Sequence, residues 1–286
     1  MKYKLIASDL DGTLNNDNFI VSQENIAAIK KARDAGIMFV LCSGRSPASL
    51  QVYEQKLGLN VAGNFGIGFN GSTVYDSHTK KTIFGDFIEK DTAINIVQTI
   101  KRLEKELPKA ENQRTSLQAI YLTNNLMIAE NGLQDALKEY NQEGVITINY
   151  VDQITPEHIT DNCLNMYCIN YHPALLPLYD ALQKESLVGC DMAITSQNLL
   201  EFLPTSMNKA QGIARLCQHL GITMDQVVTV GDNYNDLEMI EQAGFGVAVA
   251  NAVPALQDIA KYVTKRNNNM HAMEEVVDKV IEMNKG

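Results

Sequence analysis

Lys4-Leu5-Ile6-Ala7-Ser8-Asp9-Leu10-Asp11-Gly12-Thr13-Leu14 is the stretch on which the fold is decided. Lys4–Ser8 reads as a short buried strand, and two carboxylates follow it directly. In an open parallel sheet, ligands bind beyond the carboxyl ends of the strands, so Asp9 and Asp11 sit where chemistry is expected. Two neighbouring carboxylates repel unless a cation neutralises them or one holds a proton. Mg²⁺ favours hard oxygen ligands and is commonly held by one or two carboxylates together with substrate phosphate. Gly12 allows a sharp backbone turn. A solvated Asp-Gly turn is the competing reading, but such turns join hairpin arms, and here the acids follow an apolar strand.

Outward from this stretch, strand and helix alternate. Ser22–Ala35 has helical spacing at Ile26, Ile29 and Ala32, with Ser22 as N-cap and Gly36 at its end. Ile37–Cys42 is a continuous apolar run, as in a parallel strand buried on both faces. Pro47 suits the first turn of a helix running to about Leu57. Gly66–Asn70, Ser72–Tyr75 and Lys81–Phe84 read as short strands, with Asn70-Gly71 as a turn signal. Near the other end, Lys209–Leu220 is an amphipathic helix closed by Gly221, and Gln226–Gly231 is an apolar strand. Asp236–Ala243 is helical, Gly246–Ala250 a strand and Val253–Ala260 a helix. Short links in such an alternation imply a parallel sheet covered on both faces.

The middle is different. Asp91 caps a helix to Leu107, and Ala119–Thr123 with Leu126–Glu130 flank Asn124-Asn125 as a hairpin. Leu133–Asn141 reads as a helix, Val145–Val151 as a strand and Thr155–Thr160 as a short helix. Asn165–Tyr171 is strand-like, Pro173–Ser186 helical, and Met192–Thr195 and Leu199–Leu203 are strands. Paired strands between helices indicate an α+β module inserted into an α/β domain. The expected division is 1–84 and 204–286 for the Rossmann-like α/β core and 85–203 for the insertion.

The 286 residues carry 24 Lys and Arg against 34 Asp and Glu, a formal charge of −10. An acidic surface repels nucleic-acid phosphates and anionic membranes, so neither is an expected partner. It leaves room for a locally positive site that takes a small phosphorylated substrate. Cys42, Cys163, Cys168, Cys190 and Cys217 are odd in number and lack metal-type spacing, which fits buried thiols in a reducing cytoplasm. The N-terminus is no signal peptide, because Asp9 and Asp11 interrupt a short apolar run.

Three further stretches carry chemistry. Ser43-Gly44-Arg45 follows the second apolar strand, where a hydroxyl and backbone N–H groups suit phosphate oxygens. A strand-to-helix turn with a capping serine is its plain alternative. Lys209 opens a helix, where an ammonium neutralises phosphate charge, although a lone lysine is usually a surface charge. Gly231-Asp232-Asn233-Tyr234-Asn235-Asp236 follows a strand, and Asp232 and Asp236 suit a metal ligand and a partner for a cation, or simple helix capping. Together they gather at one edge of one sheet.

These residues resemble the four motifs of the haloacid dehalogenase superfamily: DLDGTL from Asp9, SGR from Ser43, Lys209, and GDNYND from Gly231. Asn70-Gly71, Leu200-Glu201-Phe202-Leu203-Pro204 and Val247–Ala252 are similar to the Cof-type subfamily, which carries a large α/β cap between its second and third motifs. The resemblance implies that Asp9 attacks phosphorus and becomes an aspartyl phosphate, and that Asp11 serves as acid and then base. It implies Mg²⁺ held by the Asp9 carboxylate, the Asp11 backbone carbonyl and Asp232. It assigns the phosphoryl oxygens to Ser43, Gly44, Lys209 and Asn235, with Asp236 and Arg45 in support. Asn267-Asn268-Asn269-Met270 leads into His271-Ala272, where the subfamily usually has Gly-Val, and this loop is expected to face substrate.

The expected activity is Mg²⁺-dependent hydrolysis of small phosphorylated metabolites, sugar phosphates or phosphorylated cofactors. A phosphomutase and a catalytically silent binding protein share the scaffold. A signal receiver domain uses similar groups but is shorter and does not place its phospho-accepting Asp after the first strand. His158, His172 and Tyr171 stay outside the site, since a lone His or Tyr is more often packed or solvent-facing.

Overall fold

The structure, a computed structural model, describes residues 1–107, 116–169, 172–185, 187–196 and 199–286. The chain starts with β1 (Leu5–Ser8), α1 (Gln23–Asp34), β2 (Met38–Cys42), α2 (Pro47–Lys56), β3 (Phe65–Gly68), β4 (Thr73–Asp76) and β5 (Thr82–Gly85). Then come α3 (Lys90–Glu106), β6 (Leu117–Thr123), β7 (Leu126–Glu130), α4 (Gln134–Tyr140), β8 (Thr147–Val151), β9 (Asn165–Ile169), α5 (His172–Leu182), β10 (Cys190–Ser196) and β11 (Leu199–Pro204). It ends with α6 (Lys209–Leu220), β12 (Val227–Gly231), α7 (Leu237–Gln242), β13 (Phe245–Ala248), α8 (Pro254–Ile259), β14 (Tyr262–Val263) and α9 (Ala272–Met283). Two compact units result: Met1–Gly85 with Asn208–Gly286, and Asp86–Met207.

The first unit holds an eight-stranded sheet in the order β14-β13-β12-β1-β2-β3-β4-β5. Its six strands from β14 to β3 run parallel, β4 turns back antiparallel to β3, and β5 pairs antiparallel with β4. β1 and β12 are buried at every position, which is why both read as unbroken apolar runs. Ser22 caps α1 by accepting from the Asn25 amide, and Ser46 caps α2 with Pro47 at its first position. β1 lies at the point where the strand order reverses: β2 is on one side and β12, over 200 residues later, on the other. Such a switch point opens a crevice at the carboxyl ends of the strands.

The second unit holds a six-stranded sheet ordered β10-β11-β9-β6-β7-β8, antiparallel except for β7 with β8. Ile96, Ile100, Leu175 and Leu178 from α3 and α5 bury one sheet face with Met166, Cys168, Leu200 and Phe202. The fold is therefore α/β with an inserted α+β module.

Several boundaries move. Residues 204–207 belong with the inserted unit, not the core, because Pro204 still pairs with Cys190 and the Ser206 amide donates to Asp191. Gly85 in turn belongs to the core, paired through β5 with Thr73. Asp91 lies in the first turn of α3 and Glu89 is the cap. Asp236 closes a single 3₁₀ turn, Tyr234–Asp236, before α7 starts. β14 and α9 are elements that the sequence reading lacks. Tyr171 and Ser186, expected in a strand and a helix, lie outside the described residues. His158 accepts from the Thr155 amide and so closes a local 3₁₀ turn.

Candidate active site

Asp9 is fixed at the end of β1 by its amide, which donates to the Val230 carbonyl of β12 at 2.9 Å. Lys209 reaches it from the first position of α6, a helix capped by Asn208. Two glycines allow that helix to come so close. A Cβ on Gly71, whose φ is +99°, would lie 2.0 Å from the Asn208 carbonyl oxygen, and a Cβ on Gly212 would lie 2.7 Å from the Gly71 Cα. The Lys209 side chain has no exposed surface, and its Nζ lies 2.6 Å from Asp9 Oδ1 and 2.6 Å from Asp236 Oδ1. Asp236 is aimed in turn by the amides of Asp232 and Asn233, which donate to its Oδ2 at 2.9 and 3.1 Å.

Asp232, the first residue after β12, accepts from Thr13 Oγ1 at 2.6 Å. A Cβ on Gly12 would sit 2.5 Å from its Oδ2, so only glycine lets the first acidic turn pack against this carboxylate. Asp9, Asp232 and Asp236 each bring an oxygen within 4.8 Å of the others. Burial, with the Asp236 and Asp232 carboxylates adding and Lys209 opposing, holds the Asp9 carboxyl well above the usual range. Burial and then Asp236 push Asp232 up to about 6. Burial disfavours the Lys209 ammonium, but Asp236 and Asp9 outweigh it and hold its pKa above the ordinary value. One ammonium among three carboxylates leaves a deficit of positive charge. A hard divalent cation fits this donor set. Asp236 spends both oxygens on Lys209 and the two amides, whereas Asp9 spends one on Lys209 and Asp232 one on Thr13.

The Asp11 carboxylate is not in that cluster. It accepts from Arg45 Nε at 2.6 Å and Arg45 Nη2 at 3.1 Å, and from Asn15 Nδ2 at 3.0 Å. Arg45 is itself buried, its guanidinium 5.7 Å from the Phe19 ring centre and 5.4 Å from that of Tyr53. Ser43 follows β2, buried, with its hydroxyl oxygen accepting from the Arg45 amide at 3.2 Å. A Cβ on Gly44 would meet the Asn70 side chain at 3.0 Å. Asn70 Oδ1 accepts from Asn235 Nδ2 at 3.0 Å, which draws Ser43-Gly44 and the loop after β12 into one neighbourhood.

The structure thus gathers Asp9, Lys209, Asp232 and Asp236 in one buried cluster, Asp11 with Arg45 in a second, and Ser43, Gly44 and Asn235 around Asn70. Asn70 is a site residue that the sequence marks as a turn signal and as part of the subfamily resemblance, without a role in the site. Its φ of +50°, next to Phe69 at +48°, is a left-handed conformation that asparagine tolerates better than most residues, so Asn before Gly was the available sign. Thr13 lies inside the first motif without a role of its own there, and Asn15 gives no signal beyond following that motif.

Residues 6–277 match the family described as haloacid dehalogenase-like hydrolase. The Bacillus subtilis protein YxeH, named provisionally as a phosphatase, is 30% identical over 96% of this chain and 98% of its own. YwtE of the same organism, a 5-amino-6-(5-phospho-D-ribitylamino)uracil phosphatase by name, is 27% identical over 93% of this chain and 94% of its own. The crystal structure of a haloacid dehalogenase-like hydrolase from Bacteroides thetaiotaomicron superposes with a TM-score of 0.82 at 26% identity, covering 98% of this chain and all of the other. Among the described residues no helix is long and apolar enough to cross a membrane. With the match running through nearly the whole chain, and over both parts of the core that meet at Asp9, the protein belongs to the haloacid dehalogenase-like hydrolases.

Proposed function

We propose that this hydrolase is a Mg²⁺-dependent phosphatase of small phosphorylated metabolites that works through an aspartyl phosphate on Asp9. The observation that carries the reading is the fully buried Lys209 ammonium between Asp9 and Asp236, beside Asp232. Burying that many charges is costly unless they do work on a further charged group. Phosphoryl transfer supplies one, since it needs in-line positioning and charge neutralisation more than elaborate covalent chemistry.

In this reading an Asp9 carboxylate oxygen forms a bond to phosphorus while the ester P–O bond breaks. Asp11 gives a proton to the leaving oxygen. Asp11 then takes a proton from water as the water oxygen attacks phosphorus, and inorganic phosphate leaves Asp9 as the carboxylate it began as. Asp11 is turned to Arg45 and Asn15 in this state, so its carboxyl group must rotate toward the leaving oxygen to act. Lys209, the Ser43 hydroxyl, the Gly44 amide and Asn235 hold the phosphoryl oxygens, and Asp236 keeps Lys209 in place. Asp9, the Asp11 backbone carbonyl and Asp232 would hold Mg²⁺, which when bound supplies the positive charge that the carboxylate cluster lacks.

YwtE is named for a phosphorylated ribitylamino compound, and we take sugar phosphates and phosphorylated cofactors as the substrate class here. Five buried cysteines without a disulfide fit a reducing cytoplasm. The test is phosphate release from a panel of such metabolites, with Mg²⁺ or chelator, by wild type and Asp9→Asn. Metal-dependent release lost in the folded variant supports the reading. Release of the same rate from Asp9→Asn overturns it.

A further inference from the structure

The asparagine-rich loop before α9 does not hang free at the rim of the core. Asn268 is buried at 4% exposure. Its Nδ2 donates to the Asn15 carbonyl at 3.2 Å and to Asp17 Oδ1 at 2.9 Å. Asn269 Nδ2 donates to the other Asp17 oxygen at 2.9 Å, and the Asp17 amide donates back to Asn269 Oδ1 at 3.1 Å. The Asn268 amide donates to Asn251 Oδ1 at 3.0 Å, and Asn251 Nδ2 donates to the Gly12 carbonyl at 2.8 Å. Side chains from two C-terminal loops therefore hold the backbone at Gly12 and Asn15 and the side chain at Asp17, on both sides of the turn after Asp11.

What lies inside this clamp is Asn15. It has no exposed surface, and its Nδ2 donates to Asp11 Oδ1 at 3.0 Å. The segment beyond it folds back through an Asn15–Val21 bridge and carries Phe19, left-handed at φ +58°, onto Arg45. Arg45 is the other group on the Asp11 carboxylate. Both donors that orient Asp11 are thus tied to the segment that Asn268 and Asn251 anchor. A carboxyl group that must rotate between Arg45 and a leaving oxygen needs its backbone still while it turns, since a misplacement of about 1 Å can cost on the order of 100-fold in rate.

We infer that Asn268, with Asn251, is a positioning residue for proton transfer by Asp11: the C-terminal asparagine loop braces the acid's turn. The inference rests on Asp11 acting as the acid in the proposed reaction. In the first step the P–O ester bond breaks, the Asp9–phosphorus bond forms and the proton passes from Asp11 to the leaving oxygen. A poor alkoxide leaving group needs that proton, and p-nitrophenolate does not.

The experiment compares kcat/KM, which covers the chain of steps through loss of the leaving group, for ribose 5-phosphate and p-nitrophenyl phosphate. Asn268→Ala is expected to lower the ribose 5-phosphate value about tenfold more than the p-nitrophenyl phosphate value. A general loosening of the core would lower both alike. Asn251→Ala, at an exposed position, carries the same comparison if Asn268→Ala does not fold. Asp11→Asn is the reference. If Asp11→Asn discriminates between the two esters and neither asparagine variant does, the positioning role is overturned and the acid role stands. If Asp11→Asn itself lowers both esters equally, the acid reading fails and the inference goes with it.

Discussion

An ammonium without exposed surface survives folding only between counter-charges, and Lys209 has two. Removing it leaves Asp9 and Asp236 buried without compensation, a loss of about 3–5 kcal/mol by the usual cost of breaking a buried pair. Lys209→Met is therefore expected to unfold at clearly lower urea concentration than wild type, with phosphate release abolished. An unchanged midpoint would mean that the carboxylates relax or protonate at little cost. A second buried charge tells a different story. Glu54 accepts from the Tyr75 hydroxyl at 3.0 Å and the Ser77 hydroxyl at 2.8 Å, both on Oε1, and burial pushes its pKa from the ordinary 4.5 to about 7. The folded chain then holds a proton that the unfolded chain has already released between these values. Stability from this group is complete below about pH 4.5 and falls as pH rises to 7, by on the order of 3 kcal/mol. Glu54→Gln should flatten that fall, read as the thermal midpoint between pH 4 and 8. A wild-type slope in the variant would assign the pH dependence to other groups.

At the scale of elements, the meeting of α6 with the β3–β4 turn is the least tolerant contact near the site. Gly71→Ala asks for a Cβ 2.0 Å from the Asn208 carbonyl and for an alanine at φ +99°. It is expected to cost at least 1–3 kcal/mol in stability. Because Asn208 caps the helix that begins at Lys209, it should also reduce phosphate release more than an equally destabilising core substitution far from α6. Equal loss of activity in both would deny the link. The same scale explains what could be read in advance. α6 was legible to the residue, since Lys209 follows a capping asparagine and Gly221, left-handed at φ +66°, ends it. β1, β2 and β12 were legible because strands buried on both faces leave unbroken apolar runs. The start of α9 lacks a signal, because it begins at a left-handed His271 without a capping side chain, although Met273, Val276, Val277 and Val280 carry a helical spacing absent from the sequence reading, and β14 is two residues long. In the site, Asp9, Asp11, Ser43, Lys209 and Asp232 each follow a strand or open a helix, which is a local mark. Asn70, Asn251 and Asn268 make contacts with chain segments 165, 239 and 253 residues distant; Asn70-Gly71 marks a turn locally, but no local pattern reports the distant partners.

Over the whole molecule, the balance of the carboxylate cluster predicts linkage between metal and stability. A cation that binds the folded core and not the unfolded chain adds roughly 2.7 kcal/mol at 100 times its dissociation constant. Mg²⁺ should raise the thermal midpoint by several degrees, and Asp232→Asn should abolish most of the shift. A shift of the same size in that variant would place the ion elsewhere. The strand order has a consequence for biogenesis as well. β1 is flanked on one side by β2, its near neighbour in the chain, and on the other by β12, whose residues Val227–Gly231 leave the ribosome far later. At roughly 5–20 residues per second, that interval is on the order of ten seconds or more. For most of it the nascent chain carries an open central strand and an Asp9 without Lys209 or Asp232, which are made only near its end. Asp9, the nucleophile of the proposed reaction, thus gains its partners only when the second half of the core has been made, and until then β1 keeps one edge unpaired.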